Sequence, residues 1–294
     1  MPDYQIAVDC QTRLGECPLW HSGEDALYWV DIEGRTLWRH DPATGETRSW
    51  PTPDRVGSFA FVASGGFLLA LPDRIVRWTP DSGPAETVIA ALPGQAKGTR
   101  LNDGRCDRQG RFVVGAFDET TRQPIGSVWR LELDGSVTTL IAAGITCANA
   151  TCFSPDGRTM YFGDTPSGNI WAYAYDPAPG APLGERRLLT DSRDQPGKPD
   201  GAVVDAEGFV WNAQVFGNRL ARYAPDGRLD RAIDLPIKNP TCPCFGGPGL
   251  TTLYLTSLRG SRALSDWQPG PIDGTILALA PGVQGLPEVM FQGR

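Results

Sequence analysis

The chain has 294 residues, of which 40% are apolar and 21% charged, and its formal net charge is −7. These proportions are sufficient for a sizeable buried core and exclude an intrinsically disordered protein. The acidic balance argues against nucleic acid as a partner, because no basic stripe is present to neutralise phosphates. No stretch approaches the ~20 apolar residues of a membrane-spanning helix, and the N-terminus lacks a signal-peptide pattern. We therefore expect a cytoplasmic protein that does not bind membranes.

One unit recurs along the chain: an apolar-alternating strand, a short turn, and a second strand rich in Trp, Arg or Tyr. The first strands of the six copies span 26–31, 66–71, 110–115, 160–164, 208–212 and 252–256, and the second strands span 36–39, 75–78, 127–131, 169–173, 220–223 and 274–279. A period of about 40–50 residues is typical of four-stranded propeller blades. The 35 Gly and 26 Pro residues predict the many tight turns that such short strands require.

These repeats predict an all-β fold, namely a six-bladed β-propeller with four-stranded blades, formed by residues 1–294 as a single domain. Residues 4–9 precede the first copy and are predicted to add the outer strand of the last blade. Such pairing closes the ring and protects its strand edges. The acidity and the lack of an obvious apolar surface favour a monomer.

Polar motifs precede four of the six copies, where a propeller brings the chain to one mouth of its central channel. They are Leu-Gly-Glu-Cys-Pro-Leu-Trp at 14–20, Arg-Leu-Asn-Asp-Gly at 100–104, Cys-Ala-Asn-Ala-Thr at 147–151 and Lys-Pro-Asp-Gly at 198–201. Individually, motifs such as Asn-Asp-Gly and Pro-Asp-Gly are ordinary turn sequences. Their equivalent placement before buried strands favours a shared functional site.

The histidines and cysteines narrow the chemistry. Only two histidines are present, so a three-histidine zinc site is impossible; we expect His21 to be structural and His40 to be solvated in a turn. No Gly-x-Ser-x-Gly motif supports Ser-His-Asp catalysis. The seven cysteines are an odd number, which argues against a disulfide framework, and we interpret Cys242 and Cys244 as buried thiols. A metal would accordingly use oxygen ligands, with thiolates as the less favoured alternative.

At its polar motifs the sequence resembles the gluconolactonase/regucalcin group of sugar lactonases, the senescence marker protein family, over nearly its whole length. The shared motifs are Gly-Glu-x-Pro-x-Trp at 15–20, Tyr-Trp-Val-Asp-Ile at 28–32, Arg-Leu-Asn-Asp-Gly at 100–104, Phe-Ser-Pro-Asp-Gly at 153–157, Pro-Asp-Gly at 199–201 and Phe-Gly-Gly at 245–247. The resemblance implies an enzyme that hydrolyses a small sugar lactone, an aldonolactone, to the sugar acid in a carbohydrate oxidation pathway.

The resemblance also implies which residues form the site. The family's metal ligands correspond here to Glu16, Asn149 and Asp200. The family's substrate-contacting Arg-x-Asn pair corresponds to Arg100 and Asn102. Some members use a further acidic side chain on the substrate, for which Glu119 is the candidate and Asp118 the alternative.

Two carboxylates and one amide form a hard oxygen set that suits one divalent ion, whether Ca, Mg, Mn, Fe or Zn. Glu16 and Asp200 would repel each other without a cation, and a bound dication would polarise the lactone carbonyl. Arg100 is expected either to stabilise the oxyanion or to hold substrate hydroxyls. Asp200 is the hypothesised general base, with activation of water by the metal as the alternative.

Three positions depart from the family pattern and leave the identity of the sugar open. Cys17 stands where the family commonly has Gly, and Ala148 and Ala150 flank Asn149 in place of Ser and Gly. Two other functions remain: hydrolysis of a different ester, such as an organophosphate or acyl ester, at the same site, and a non-catalytic metal-binding propeller. A substrate panel separates the first from a sugar lactonase, and metal-dependent proton release on adding lactone excludes the second.

Overall fold

Six four-stranded antiparallel sheets form this protein in the computed structural model, and the inner strands of successive sheets contact one another around a ring. The structure describes residues 4–83, 85–260 and 268–293. The predicted six-bladed, four-stranded β-propeller is therefore confirmed. Within these ranges no α-helix occurs, and no helix has the length and hydrophobicity needed to cross a lipid bilayer.

The strands follow the chain from blade to blade, after an initial strand β1 (Tyr4–Val8). Blade one consists of β2 (Gly15–His21), β3 (Ala26–Asp31), β4 (Thr36–His40) and β5 (Thr47–Pro51). Blade two consists of β6 (Ser58–Phe61), β7 (Phe67–Ala70), β8 (Arg74–Trp78) and β9 (Thr87–Ala91). Blade three consists of β10 (Arg100–Cys106), β11 (Phe112–Phe117), β12 (Gly126–Leu131) and β13 (Val137–Ile145). Blade four consists of β14 (Ala148–Phe153), β15 (Thr159–Asp164), β16 (Asn169–Tyr175) and β17 (Leu183–Asp191). Blade five consists of β18 (Lys198–Val204), β19 (Val210–Val215), β20 (Arg219–Tyr223) and β21 (Leu229–Asp234). Blade six consists of β22 (Pro240–Gly246), β23 (Thr252–Ser257), β24 (Ile276–Leu279) and the N-terminal strand β1. Short 3₁₀ helices lie at Pro80–Ser82, Thr165–Ser167 and Pro248–Leu250.

The N-terminal strand β1 pairs antiparallel with β24 as the outer strand of the sixth blade. Tyr4 lies opposite Leu279 and Gln5 opposite Ala278. This pairing joins segments from the two ends of the chain, so backbone hydrogen bonds hold the ring closed and cover the edge of β24.

Among the residues that the structure describes, buried apolar side chains form six clusters, and each cluster lies between two neighbouring blades. Tyr28 of blade one and Phe59 of blade two share one cluster, and Tyr161 of blade four and Tyr223 of blade five share another. Because each blade is covered on both faces by its neighbours, middle strands such as β3 are buried at every position. This burial explains why the repeats contain such apolar strands.

The segment 283–293 crosses the face of the ring that is formed by the turns after the inner strands. Its backbone contacts reach blades two, three and six through the hydrogen bonds Phe291 N to Phe61 O, Gln292 N to Gly110 O and Gly285 N to Leu250 O. Glu288 Oε2 lies 3.6 Å from Nη1 of Arg105, a residue of β10. The segment therefore covers this end of the channel, and the opposite end is the open one.

The histidines and cysteines take structural positions. His40 is buried at the end of β4, and its Nδ1 lies 2.9 Å from Thr47 Oγ1. The expectation of a solvated His40 is wrong, because β4 continues to this residue and pairs on both sides. Burial lowers the pKa of His40. All seven cysteines are free thiols, and Cys242 and Cys244 are buried.

Candidate active site at the channel mouth

Five of the six inner strands carry a one-residue bulge at the same level of the propeller. In blade one, Glu16 and Leu19 pair with Val30 and Tyr28, so β2 advances three residues while β3 advances two. The inner strands β10, β14, β18 and β22 also advance three residues while their partner strands advance two. The inner strand β6 pairs without a bulge. A β-bulge bends the strand and re-aims the side chains beside it. The bulges therefore explain how polar side chains leave the sheet pattern and reach the channel.

One cavity at this mouth is lined by every residue that the sequence assigned to metal or substrate binding. These residues are Glu16, Arg100, Asn102, Glu119, Asn149 and Asp200. The cavity encloses about 640 Å³, including solvent at its mouth, a size that suits a small ligand. Phe117 and Phe216 contribute aromatic surface to its wall. Residues that are far apart in the sequence thus converge from blades one, three, four and five.

The carboxylates of Glu16 and Asp200 are enclosed by protein and repel each other. Burial, followed by the charges of Asp200 and Asp103, raises the pKa of Glu16 well above its ordinary value. Burial and the charge of Asp103 likewise raise the pKa of Asp200 well above its ordinary value. A bound cation removes this penalty, because it supplies the opposite charge that both carboxylates lack.

The side chain of Asn149 has a fixed orientation. Its Nδ2 donates to Thr165 Oγ1 at 2.7 Å, and the Thr165 hydroxyl donates to Pro199 O at 2.8 Å. Since Thr165 uses its only hydrogen on Pro199, it can only accept from Asn149, which rules out the flipped amide. The carbonyl oxygen of Asn149 is therefore the atom available to the cavity.

The guanidinium of Arg100 is held by its neighbours in blade three. Its Nη1 donates to Asn102 Oδ1 at 2.7 Å and to Leu101 O at 3.0 Å. Asn102 in turn donates through Nδ2 to Ala148 O at 2.8 Å, which joins blade three to blade four. Both polar ends of the Asn102 side chain thus have protein partners.

Glu119 and Asp118 have different surroundings. Glu119 accepts hydrogen bonds from Arg55 Nη2 at 2.6 Å and from Arg100 Nε at 3.0 Å. Burial alone would raise the pKa of Glu119, but these two guanidinium groups outweigh it and lower the pKa. Asp118 instead accepts hydrogen bonds from Thr121 within its own turn. Of the two candidates, the structure therefore places Glu119 against the cavity and Asp118 in the turn that supports it.

Four residues of this region were not singled out from the sequence. Asp103 follows Asn102 in the recognised motif and influences the pKa of both carboxylates, so its position in the motif was an available signal. Arg55, Arg122 and Thr165 lie in connections between strands. Loop residues of this kind carry no repeat signal, so the repeat pattern does not reveal them.

The donor set fits a hard divalent cation. The buried carboxylate of Asp200, the half-buried carboxylate of Glu16 and one oriented amide oxygen are ligands that such ions accept. Over the described ranges, no three His, Cys, Asp or Glu side chains are grouped to hold a metal. The candidate set has only two members of those residue types, Glu16 and Asp200, because its third donor is the amide of Asn149.

Comparisons with known proteins cover nearly the whole propeller. Residues 14–259 match the family described as SMP-30/gluconolactonase/LRE-like region. The chain is 36% identical to the 6-deoxy-6-sulfogluconolactonase of Pseudomonas putida over 281 residues, 95% of each protein. It is 34% identical to the L-arabinolactonase of Azospirillum brasilense, covering 98% of this chain and 95% of that protein. The structure of the calcium-binding protein regucalcin from Agrobacterium tumefaciens superposes with a TM-score of 0.90 at 30% identity, covering 99% and 98% of the two chains.

Proposed function

This chain belongs to the SMP-30/gluconolactonase/LRE-like family, and on that premise we propose that it hydrolyses a sugar lactone with the help of one divalent metal ion. The observation that carries the proposal is the convergence of two mutually repelling carboxylates and an oriented amide oxygen in one cavity. The substrate class is an aldonolactone, which opens to the sugar acid. The lactonases among its relatives support this class.

Glu16, Asn149 and Asp200 would hold the metal, which is Ca, Mg, Mn, Fe or Zn. When bound, such an ion supplies a Lewis acid that polarises the lactone carbonyl. The two carboxylates neutralise its charge, while the neutral amide of Asn149 adds a ligand without further reducing its Lewis acidity.

Arg100 stabilises negative charge on the substrate. Its Nε and Nη1 are committed to Glu119, Leu101 and Asn102, which leaves Nη2 for the lactone. Lactone hydrolysis passes through a tetrahedral oxyanion, and a buried, pre-positioned guanidinium stabilises such a charge more than water does. The Nη2 group alternatively holds a hydroxyl of the sugar.

Asp200 accepts the proton of the attacking water in this proposal. It lies in the cavity, where its carboxylate can take up a proton from a water molecule beside the substrate. In the alternative, Asp200 acts only as a ligand and the water loses its proton to solvent.

Asn102 and Glu119 act mainly through Arg100. Each holds one side of the guanidinium, and Glu119 also binds Arg55. Both side chains line the cavity, so contacts with sugar hydroxyls remain part of the proposal for these two residues.

The test is a panel of pentono- and hexonolactones, measured as proton release with each divalent metal and corrected for spontaneous hydrolysis. Metal-dependent ring opening supports the proposal. Faster turnover of paraoxon-like or acyl esters than of any lactone would assign a different hydrolase activity. A protein that is inactive with every metal would be a non-catalytic propeller.

The matched pair of variants is Asp200→Asn and Asp226→Asn. Asp226 lies in the turn between β20 and β21, on the face opposite the cavity, and its Oδ1 accepts a turn hydrogen bond from Arg228 N at 3.0 Å. We expect Asp200→Asn to lower kcat by about 10²–10⁴-fold and Asp226→Asn to leave it unchanged, with both proteins folded by circular dichroism. Near-normal turnover in Asp200→Asn would remove Asp200 from the proposed role.

A further inference from the structure

The turn between β11 and β12 brings a second arginine, Arg122, to the cavity. Arg122 lines the cavity and is exposed at its rim, whereas Arg100 is buried. The backbone of Arg122 is left-handed, with φ of +56°, a conformation that residues other than glycine adopt at an energetic cost. Such conformations persist where the surroundings enforce them, and they concentrate at ligand sites.

Asp118 is the residue that enforces this turn. Its carboxylate accepts hydrogen bonds from the backbone N–H groups of Thr120, Thr121 and Gln123, and its backbone oxygen accepts one from Arg122 N at 3.3 Å. The position of Arg122 is therefore determined by a hydrogen-bonded turn.

The guanidinium of Arg122 lies over the ring of Phe117, with Cζ 4.6 Å from the ring centroid. Arg100 approaches the same ring at 5.0 Å. The two cations differ in their partners: Arg100 is paired with Glu119, whereas no carboxylate in the described part of the chain lies within 4.0 Å of the Arg122 guanidinium. Arg122 thus brings a positive charge to the rim that is not neutralised by an ion pair there.

We propose that Arg122 binds an anionic tetrahedral group, a sulfonate or a phosphate ester, on the end of the sugar lactone that is remote from the reacting carbonyl. The reacting end lies deep in the cavity beside the carboxylates and Arg100, and the remote end reaches the rim. The planar guanidinium matches the oxygens of such groups in a bidentate manner. This inference rests on the proposed lactonase function and narrows its substrate class.

The experiment compares kcat/KM for three substrates with the same ring: glucono-1,5-lactone, 6-phosphoglucono-1,5-lactone and 6-deoxy-6-sulfoglucono-1,5-lactone. We expect the wild-type protein to prefer at least one charged lactone over the neutral one. The larger of the two charged-over-neutral ratios tells which anionic group is recognised. This preference should weaken with increasing ionic strength, because salt screens the exposed charge of Arg122.

The variants are Arg122→Gln, Arg122→Lys and the control Arg228→Gln. Arg228 is an exposed arginine in the turn between β20 and β21 on the opposite face. We expect Arg122→Gln to lower the charged-over-neutral ratio of kcat/KM by about tenfold to a hundredfold, since a charge-assisted contact is lost. Arg122→Lys should retain part of the ratio, and Arg228→Gln should retain all of it.

Two outcomes would overturn the inference. If the wild-type protein prefers the neutral lactone, or if Arg122→Gln leaves the ratio unchanged, Arg122 does not recognise an anion, while metal-dependent turnover of neutral lactone would still support the lactonase proposal. If no lactone is hydrolysed with any metal, both proposals fail together.

Discussion

Cys17 and Ala150 occupy the same bulge position in blades one and four, and both have a left-handed backbone, with φ of +48° and +54°. Each directly follows a proposed metal ligand, Glu16 in one blade and Asn149 in the other. These are two of the positions at which the sequence departs from the glycine that its family commonly has. Glycine adopts this conformation without the Cβ clash that other residues have, so the structure gives a physical reason for the family pattern.

The strain at Ala150 predicts a difference between two alanines of the same strand. Ala148 and Ala150 are both fully buried, but only Ala150 has a positive φ. Both Ala→Gly changes remove a buried methyl group, whereas only Ala150→Gly relieves strain. We expect Ala148→Gly to lower the free energy of unfolding by about 1–2 kcal/mol more than Ala150→Gly, as measured by urea denaturation. Equal losses would show that the left-handed backbone costs nothing here.

The metal affinity of the site should depend on the hydroxyl of Thr165, because this hydroxyl fixes the orientation of the Asn149 amide. Thr165→Val keeps the size of the side chain and removes the hydroxyl, whereas Thr165→Ser keeps the hydroxyl. We expect Thr165→Val to weaken metal binding by about 10–100-fold and Thr165→Ser to retain it, measured by isothermal titration calorimetry. Unchanged affinity in Thr165→Val would mean that Asn149 is oriented by other contacts or is not a ligand.

The position of the Arg100 guanidinium should depend on its ion pair with Glu119. Glu119→Gln removes the charge that two guanidinium groups share. We expect kcat/KM for lactones to fall by about tenfold or more, because charge-assisted hydrogen bonds to Arg100 are lost. Glu24→Gln is the control, since Glu24 binds Arg39 and Tyr28 on the opposite face of the ring. If both variants retain wild-type kcat/KM, Arg100 does not depend on Glu119.

The sequence was sufficient to predict the blades because each one repeats the same short-range pattern. The strand–turn–strand copies correspond to the middle strands of the blades, for example 26–31 to β3 (Ala26–Asp31). The inner strands were located as the segments just before these copies. The metal and substrate residues came from the family resemblance, and the bulges that direct these side chains into the cavity were not predictable from residue alternation.

The remaining parts of the site depend on loops. Arg55 lies between β5 and β6, and Arg122 between β11 and β12, where the path of the chain is set by local hydrogen bonds instead of a repeat. The choice between Asp118 and Glu119 was open for the same reason. Either carboxylate could face the cavity until the turn hydrogen bonds to Asp118 are known.

Asp118 predicts a pH dependence of stability. Hydrogen bonds from the hydroxyl and the backbone N–H of Thr121 lower the pKa of Asp118 from 3.8 to about 2. A lowered pKa in the folded state stabilises the protein above the ordinary value and ceases to do so as the pH falls through the lowered one. The difference in unfolding free energy between wild type and Asp118→Asn should thus be widest above pH 3.8 and should close as the pH falls toward about 2. A difference that is independent of pH would contradict this assignment.

The one-residue bulges of the inner strands change the side chains that face the cavity without changing how the blades pack together. On the C-terminal side of each bulge, the inner strand resumes regular pairing with the next strand of its blade. The side chains that these paired residues place between blades therefore keep their positions. Substitutions of the cavity-lining side chains beside these bulges, such as Glu16 and Asn149, can therefore exchange the groups presented to a ligand while the ring stays assembled. Blade two has an uninterrupted inner strand and offers no such position, which makes it the least adaptable sector when this scaffold is redesigned for another reaction.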